Sequence, residues 1–218
     1  MIGGLRGNRR GIVGIEAAIV LIAFVIIAAA LAYVVVNMGF FSSQKAKDTI
    51  SRGIAEATSA LELEGSVIAK TNGTAAICYL VIPVKTSVAR EGVDISNETM
   101  TVSVRISSQS GHSDAFMTNI YSGLADPTSY NPADISATLG DVFLLETDPT
   151  AYFAVENDDG DEVLDSTEKG ILLVYLGSES AQSHDILTVE IKASVGSSLT
   201  VEREIPPGLQ PDQFVDLG

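Results

Sequence analysis

The stretch Asn157 to Glu168, NDDGDEVLDSTE, is crowded with oxygen-bearing side chains. A hard cation such as Ca2+ takes six to eight oxygens, and a twelve-residue loop supplies them when positions 1, 3, 5, 7, 9 and 12 turn inward. Counted this way, Asn157, Asp159, Asp161, Asp165 and Glu168 offer side-chain oxygens and Val163 a backbone carbonyl. The order departs from an EF-hand loop at position 6, where Glu162 replaces glycine and Gly160 comes two residues early. No strong helical pattern precedes it. Two readings stand: a structural Ca2+ site, or a solvated acidic turn between strands. A cation there would neutralise mutually repelling carboxylates and stabilise the folded domain by mass action.

Other reactive groups are sparse. Asn72-Gly73-Thr74 and Asn97-Glu98-Thr99 are N-glycosylation sequons in turn-like stretches, available to modification if the domain is exported. Cys78 is a single thiol inside an apolar run, so it makes no intrachain disulfide and reads as a small buried hydrophobe. His112 and His184 fall in Ser/Asp-rich stretches that read as loops. No nucleophile–base set accompanies them, so an enzyme lacks its parts.

The elements that carry these groups begin with an apolar rod. From Ile12 to Val36 the chain holds 25 residues and one charge, Glu16. As a helix this segment reaches roughly 37 Å, enough to cross a hydrocarbon core of about 30 Å. Being apolar on every side, it belongs in lipid or in a bundle of its own kind. Ahead of it lies the basic stretch MIGGLRGNRRG. A secretory signal places its small-residue cleavage site after the apolar run. Here the small residue, Gly11, precedes the run and directly follows Arg9-Arg10. Cleavage between Gly11 and Ile12 would remove three arginines, which until then hold that end in the cytoplasm. An uncleaved signal-anchor fits the charge pattern equally.

Arg9-Arg10-Gly11 followed by Ile12-Val13-Gly14-Ile15-Glu16 resembles the class III signal of type IV pilins, and most closely that of the archaeal flagellins, or archaellins. The resemblance is strong over residues 6–41 and looser beyond, where the ending TVEREIPPGL is similar to archaellin ends. It implies that a prepilin-type signal peptidase cuts after Gly11 and that Ile12 becomes the mature first residue. It also implies that the exposed helix polymerises as a filament core, rotated by a membrane motor at its base. Glu16 would then pair with the α-amine of a neighbouring subunit during insertion. A carboxylate in lipid otherwise costs several kcal/mol; the alternative is that Glu16 lies near the headgroups and is simply hydrated.

Beyond Val36 the pattern becomes one-faced: Ala46, Ile50, Ile54, Ala57 and Leu61 recur at helical spacing, opposite Lys45, Lys47, Asp48, Arg52 and Glu56. One helix is therefore expected from about residue 12 to 64, weakened at Gly39 and Gly53 and ended by Gly65. Ala17, Ala18, Ala23, Ala28, Ala29, Ala30 and Ala32 give it small surfaces suited to close packing.

From Thr71 the period changes. Strands are expected at 76–84, 100–107, 141–146, 152–156, 171–176, 186–193 and 198–205, with 108–139 as an exposed insertion. The expected fold class is α+β: a long N-terminal hydrophobic helix followed by an antiparallel, immunoglobulin-like β-sandwich. Three parts result: a leader 1–11, a helix 12–65 and an outer domain 66–218. Charge divides the same way. Residues 1–50 sum to +3, so the other 168 residues carry −18 of the overall −15. An acidic exterior suits salty surroundings and excludes nucleic acid as a partner. The resemblance implies a structural subunit of an archaeal motility filament, forming a homopolymer or co-polymer with related subunits. The alternatives are an adhesive pilus subunit and a monomeric membrane-anchored domain binding calcium or carbohydrate.

Overall fold

The computed structural model describes residues 10–58, 61–87, 92–109 and 114–218, with side chains of the first helix from 14 to 54. It divides into two compact units, Met1–Arg52 and Gly53–Gly218.

The first unit is helical. Helix α1 runs Arg10–Thr58, 49 residues uninterrupted by proline, and passes through Gly39 and Gly53. At 1.5 Å per residue it is about 74 Å long. Every described side chain from 14 to 54 is exposed, and the large apolar ones keep 53 to 72% of their surface. Its Gly14–Ile54 portion has the length and composition of a membrane-crossing helix.

The helix stops at Thr58, short of the expected 64. Leu61–Leu63 instead forms β1, in register with the later strand β3 as Leu61↔Thr86 and Leu63↔Val84. Leu61 continues the helical stripe in sequence, yet it is 6% exposed in the β-core. Burial there outweighs a helix propensity worth only tenths of a kcal/mol. Gly65, with φ +105°, does not cap the helix; it turns the chain between β1 and the next strand.

The second unit contains two sheets with one core between them. Its elements follow in order: β2 (Ile68–Thr71), β3 (Ile77–Thr86), β4 (Val93–Asp94), β5 (Thr101–Ser107), β6 (Ala115–Met117), β7 (Tyr121–Leu124), α2 (Ile135–Val142), β8 (Thr150–Glu156), β9 (Val163–Leu164), β10 (Lys169–Tyr175), β11 (Ile186–Lys192), β12 (Leu199–Glu204) and β13 (Phe214–Asp216). The larger sheet is ordered β13-β2-β3-β10-β8-β7, with β1 also on β3; the smaller is β12-β11-β5-β6, and β4 pairs β9.

Alternation explains the layering. Leu80, Ile82 and Val84 of β3, Leu172 and Val174 of β10, and Phe153 of β8 face Val102, Val104, Leu187, Val189 and Val201 of the smaller sheet. The intervening residues Val81, Ala154 and Leu173, flanked by Tyr79, Tyr152 and Tyr175, form a second cluster under Leu139 and Phe143 at α2. Gly170 admits the Phe153 ring: a Cβ there would come within 2.2 Å of it.

Two expectations are corrected. Residues 141–146 are not a strand; they finish α2 and the turn after it. Residues 108–139 are not a plain insertion, since they include β6, β7 and most of α2. The reason is topological. β7 runs parallel to β8, with Tyr121↔Ala151 and Leu124↔Phe153, an exception to the otherwise antiparallel pairing. Parallel neighbours need a long crossover, usually helical, and α2 provides it. Its local signal is Asp134, whose carboxylate accepts from Ala137 N at 3.0 Å as an N-cap.

Candidate functional sites

Glu16 lies on α1 and is exposed, among Ala17, Val20, Leu21 and Phe24. Gly11 and Ile12 belong to the α1 backbone, but their side chains, like the expected leader up to residue 9, lie outside the described residues. Between residues 14 and 54 the helix presents apolar side chains at all angles, and the basic residues of that span, Lys45, Lys47 and Arg52, enter only in its second half.

The acidic stretch Asn157–Glu168 runs from β8 to β10 and contains β9. Asn157 (φ +61°) and Gly160 (φ +96°) take the left-handed conformations that turn it. Carboxylate oxygens of Asp158, Asp159 and Glu168 lie within 4.8 Å of one another. Glu168, 5% exposed, closes the loop: its two oxygens accept from Asp159 N at 3.2 Å and Asp165 N at 2.9 Å. Asp161 accepts from Val163 N at 2.8 Å, and Val163 itself sits in β9 opposite Asp94. The Asp165 carboxylate lies against Gly92, where a Cβ would approach it to 2.4 Å. Of the expected side-chain ligands, then, Asp159 and Glu168 converge, whereas Asp161 and Asp165 belong to no such group. Asp158 joins in their place; the alternate-residue count skipped it.

The two sequons differ. Asn72 occupies the β2–β3 turn, half-buried, its Oδ1 accepting from Thr74 N (3.0 Å), Thr74 Oγ1 (2.7 Å) and Ala76 N (3.0 Å). Asn97 is exposed in the turn between β4 and β5, where the Thr99 hydroxyl meets that of Ser96 at 2.9 Å.

Cys78 is 6% exposed and donates to Lys70 O at 3.5 Å; burial pushes its thiol up to about 11, so it is no thiolate nucleophile. His184 is an exposed turn residue with φ +71°, and His112 lies outside the described residues.

An uncovered apolar helix ahead of a self-contained β-domain defines a class: proteins whose N-terminal segment is completed by other molecules. The sequence places this one within that class. The archaeal-type flagellin family model matches residues 11–203, and the chain belongs to that family. A protein of Aeropyrum pernix named probable flagellin 1 is 45% identical over 97% of this chain and 99% of its own length. Among solved structures, the fold is similar to that in the archaeal flagellum of Methanospirillum hungatei, with a TM-score of 0.62 at 23% identity, covering 91% of this chain and 97% of that one. It is also similar to the crystal structure of flagellin FlaB1 from Methanocaldococcus jannaschii, with a TM-score of 0.57 at 16% identity, covering 73% and 96%.

Proposed function

We propose that this chain is the structural subunit of an archaeal flagellar filament on the cell surface, polymerised through α1. The observation that carries this reading is the helix itself: from 14 to 54 every side chain is exposed, in a chain of the flagellin family. Apolar surface stabilises at about 25 cal/mol per Å2 when removed from water, so a rod of this kind is covered by lipid before assembly and by its own kind after it. The subunit's work is mechanical, not catalytic.

On this reading a prepilin-type peptidase removes residues 1–11 from a membrane-held precursor, and Glu16 meets the new α-amine of a neighbour. N-terminal sequencing of surface filaments then begins at Ile12, and Gly11→Val leaves unprocessed precursor in the membrane. Filaments beginning at Met1, or normal filaments from Gly11→Val, would overturn the processing step. Mature chains that stay solitary in detergent-free buffer would overturn polymerisation.

Two secondary assignments accompany it. Asp158, Asp159 and Glu168 form the part of the acidic loop that a Ca2+ ion would bridge, and titration calorimetry with Ca2+ alone reads this directly. Asn97, exposed, is the better placed of the two sequons for glycan attachment; mass spectrometry of surface filaments tests both.

A further inference from the structure

Of the seven asparagines in the chain, only Asn72 is followed by glycine. The backbone nitrogen after an asparagine can attack the side-chain amide carbon and close a succinimide ring. A side chain on that next residue hinders the approach, and glycine has none. Gly73 is exposed in the turn between β2 and β3, and a Cβ there would meet nothing within 4 Å.

The turn treats the reacting atoms unequally. Asn72 Oδ1 accepts from Thr74 N at 3.0 Å, Thr74 Oγ1 at 2.7 Å and Ala76 N at 3.0 Å. Donors on a carbonyl oxygen draw electrons from its carbon and hold the negative charge that develops when a nucleophile adds. The bond from Thr74 N also folds the side chain over the intervening peptide, so Cγ and Gly73 N belong to one hydrogen-bonded ring. Among the described residues, no hydrogen bond engages Gly73 N–H or Asn72 Nδ2. Nucleophile and leaving group are thus unengaged, while the oxygen that must carry charge is held by three donors.

We propose that Asn72 is a site of spontaneous, non-enzymatic deamidation. Gly73 N gives its proton to water or hydroxide and bonds to Asn72 Cγ. The Cγ–Nδ2 bond breaks, and the nitrogen takes up a proton from solvent and leaves as ammonia. Water then opens the succinimide at either carbonyl, so that asparagine and water have become an aspartyl residue and ammonia. Opening at the backbone carbonyl reroutes the main chain through the side chain and adds a methylene to it. That displaces Asn72 O, which accepts from Ala75 N at 3.0 Å and from Asp212 N at 3.2 Å. Asp212 leads into β13, so this edge strand of the larger sheet loosens with the turn. Nδ2 is also the atom that a glycan would occupy, so the two modifications exclude each other at this sequon. The reaction belongs to the β-unit and holds whether or not α1 polymerises.

The test uses the full-length chain, made in a host without N-glycosylation, kept folded in detergent and incubated in mildly alkaline buffer. Mass spectrometry of the tryptic peptides 71–85 and 91–105 follows Asn72 and Asn97, each the sole asparagine of its peptide. Asn72 is expected to show the amide-to-acid mass change, with isoaspartate, several-fold faster than Asn97, which is exposed but followed by Glu98. Gly73→Val, which has room for its side chain, removes that difference. Thr74→Val takes one donor from Oδ1 and slows conversion several-fold. Equal rates at Asn72 and Asn97, or a fast rate that survives Gly73→Val, would overturn the site. A Thr74→Val rate unchanged or raised would show that the three donors do not promote the reaction. Hydrogen exchange at Phe214–Asp216 should rise in the converted chain, and unaltered exchange there would sever the turn from β13.

Discussion

Ile22 on α1 keeps 58% of its surface exposed, while Ile82 on β3 keeps none. The side chain is the same, and both sit in strongly apolar surroundings. The difference lies in what each element can do for itself. A strand alternates its faces, so β3, β8 and β10 bury one face in the sandwich and the other under α2 within a single chain. An apolar helix spreads its side chains around a full circle, and one chain does not cover them. Hydrophobicity dictates that such residues leave water; topology dictates whether the chain or its neighbours provide the cover.

That contrast can be broken most forcefully at the helix. Ile22→Asp puts a charge where an apolar medium penalises it by about 2.5–3.5 kcal/mol in every copy. The expected outcome is loss of sedimentable filaments with no change in the melting temperature of the outer domain. Filaments of normal yield would show that α1 is not the polymerising element.

The reverse lesion belongs in the β-unit. Phe153 is fully buried between the sheets, and Phe153→Ala costs about 3–5 kcal/mol in a denaturant melt. Assembly below the lowered melting point should persist, because the helix is untouched. A shift under 1 kcal/mol would mean that the larger sheet does not depend on its own core.

Cation removal sharpens the comparison further, since it acts on the β-unit alone. Ca2+ held at about 100 times its dissociation constant adds about 2.7 kcal/mol to a site that binds it only when folded. EDTA should lower the outer-domain midpoint accordingly, and Glu168→Gln should abolish that response. An identical melt with and without EDTA returns Asn157–Glu168 to a solvated turn.

The smallest effect is titrational. Tyr121 is buried and donates its hydroxyl to Ile95 O; burial first, then the nearby Glu162 and Asp94, push its phenol above the ordinary value of 10. Tyr130, half-buried and donating to Glu156 at 2.8 Å, is raised by desolvation and that carboxylate. A folded-state pKa above the unfolded one gives stability that is complete below about pH 10 and lost as pH rises through the folded value. The β-unit should therefore weaken above about pH 10. Tyr121→Phe should cost about 1 kcal/mol at neutral pH and flatten that alkaline slope. Unchanged alkaline denaturation in the variant would exclude Tyr121 from the effect.

Much of this architecture was legible beforehand. Six of the seven expected strands have counterparts in β3, β5, β8, β10, β11 and β12, because half-buried strands write their alternation openly, as TVSVRIS and ILTVEIK do. The seventh failed because DVFLLE is apolar without a period, and such a run reads equally as strand or helix. Short edge strands such as β1, β6 and β13 were missed; three residues carry too little pattern. At the acidic loop, residue types marked a concentration of carboxylates, but the convergence of Asp158 with Asp159 and Glu168 depends on left-handed turns at Asn157 and Gly160.

The sequence by itself determined the division of labour: where the apolar rod lies, that a β-rich acidic domain follows it, and which family the junction resembles. These are local properties, set by composition and spacing over consecutive residues. Tertiary structure decided what consecutive residues cannot encode. It ended α1 at Thr58 because Leu61 gains more by burial on β3. It made β7 parallel to β8 and thereby required α2. Each outcome depends on partners far away in the chain, whose burial outweighs the small free energies of local preference.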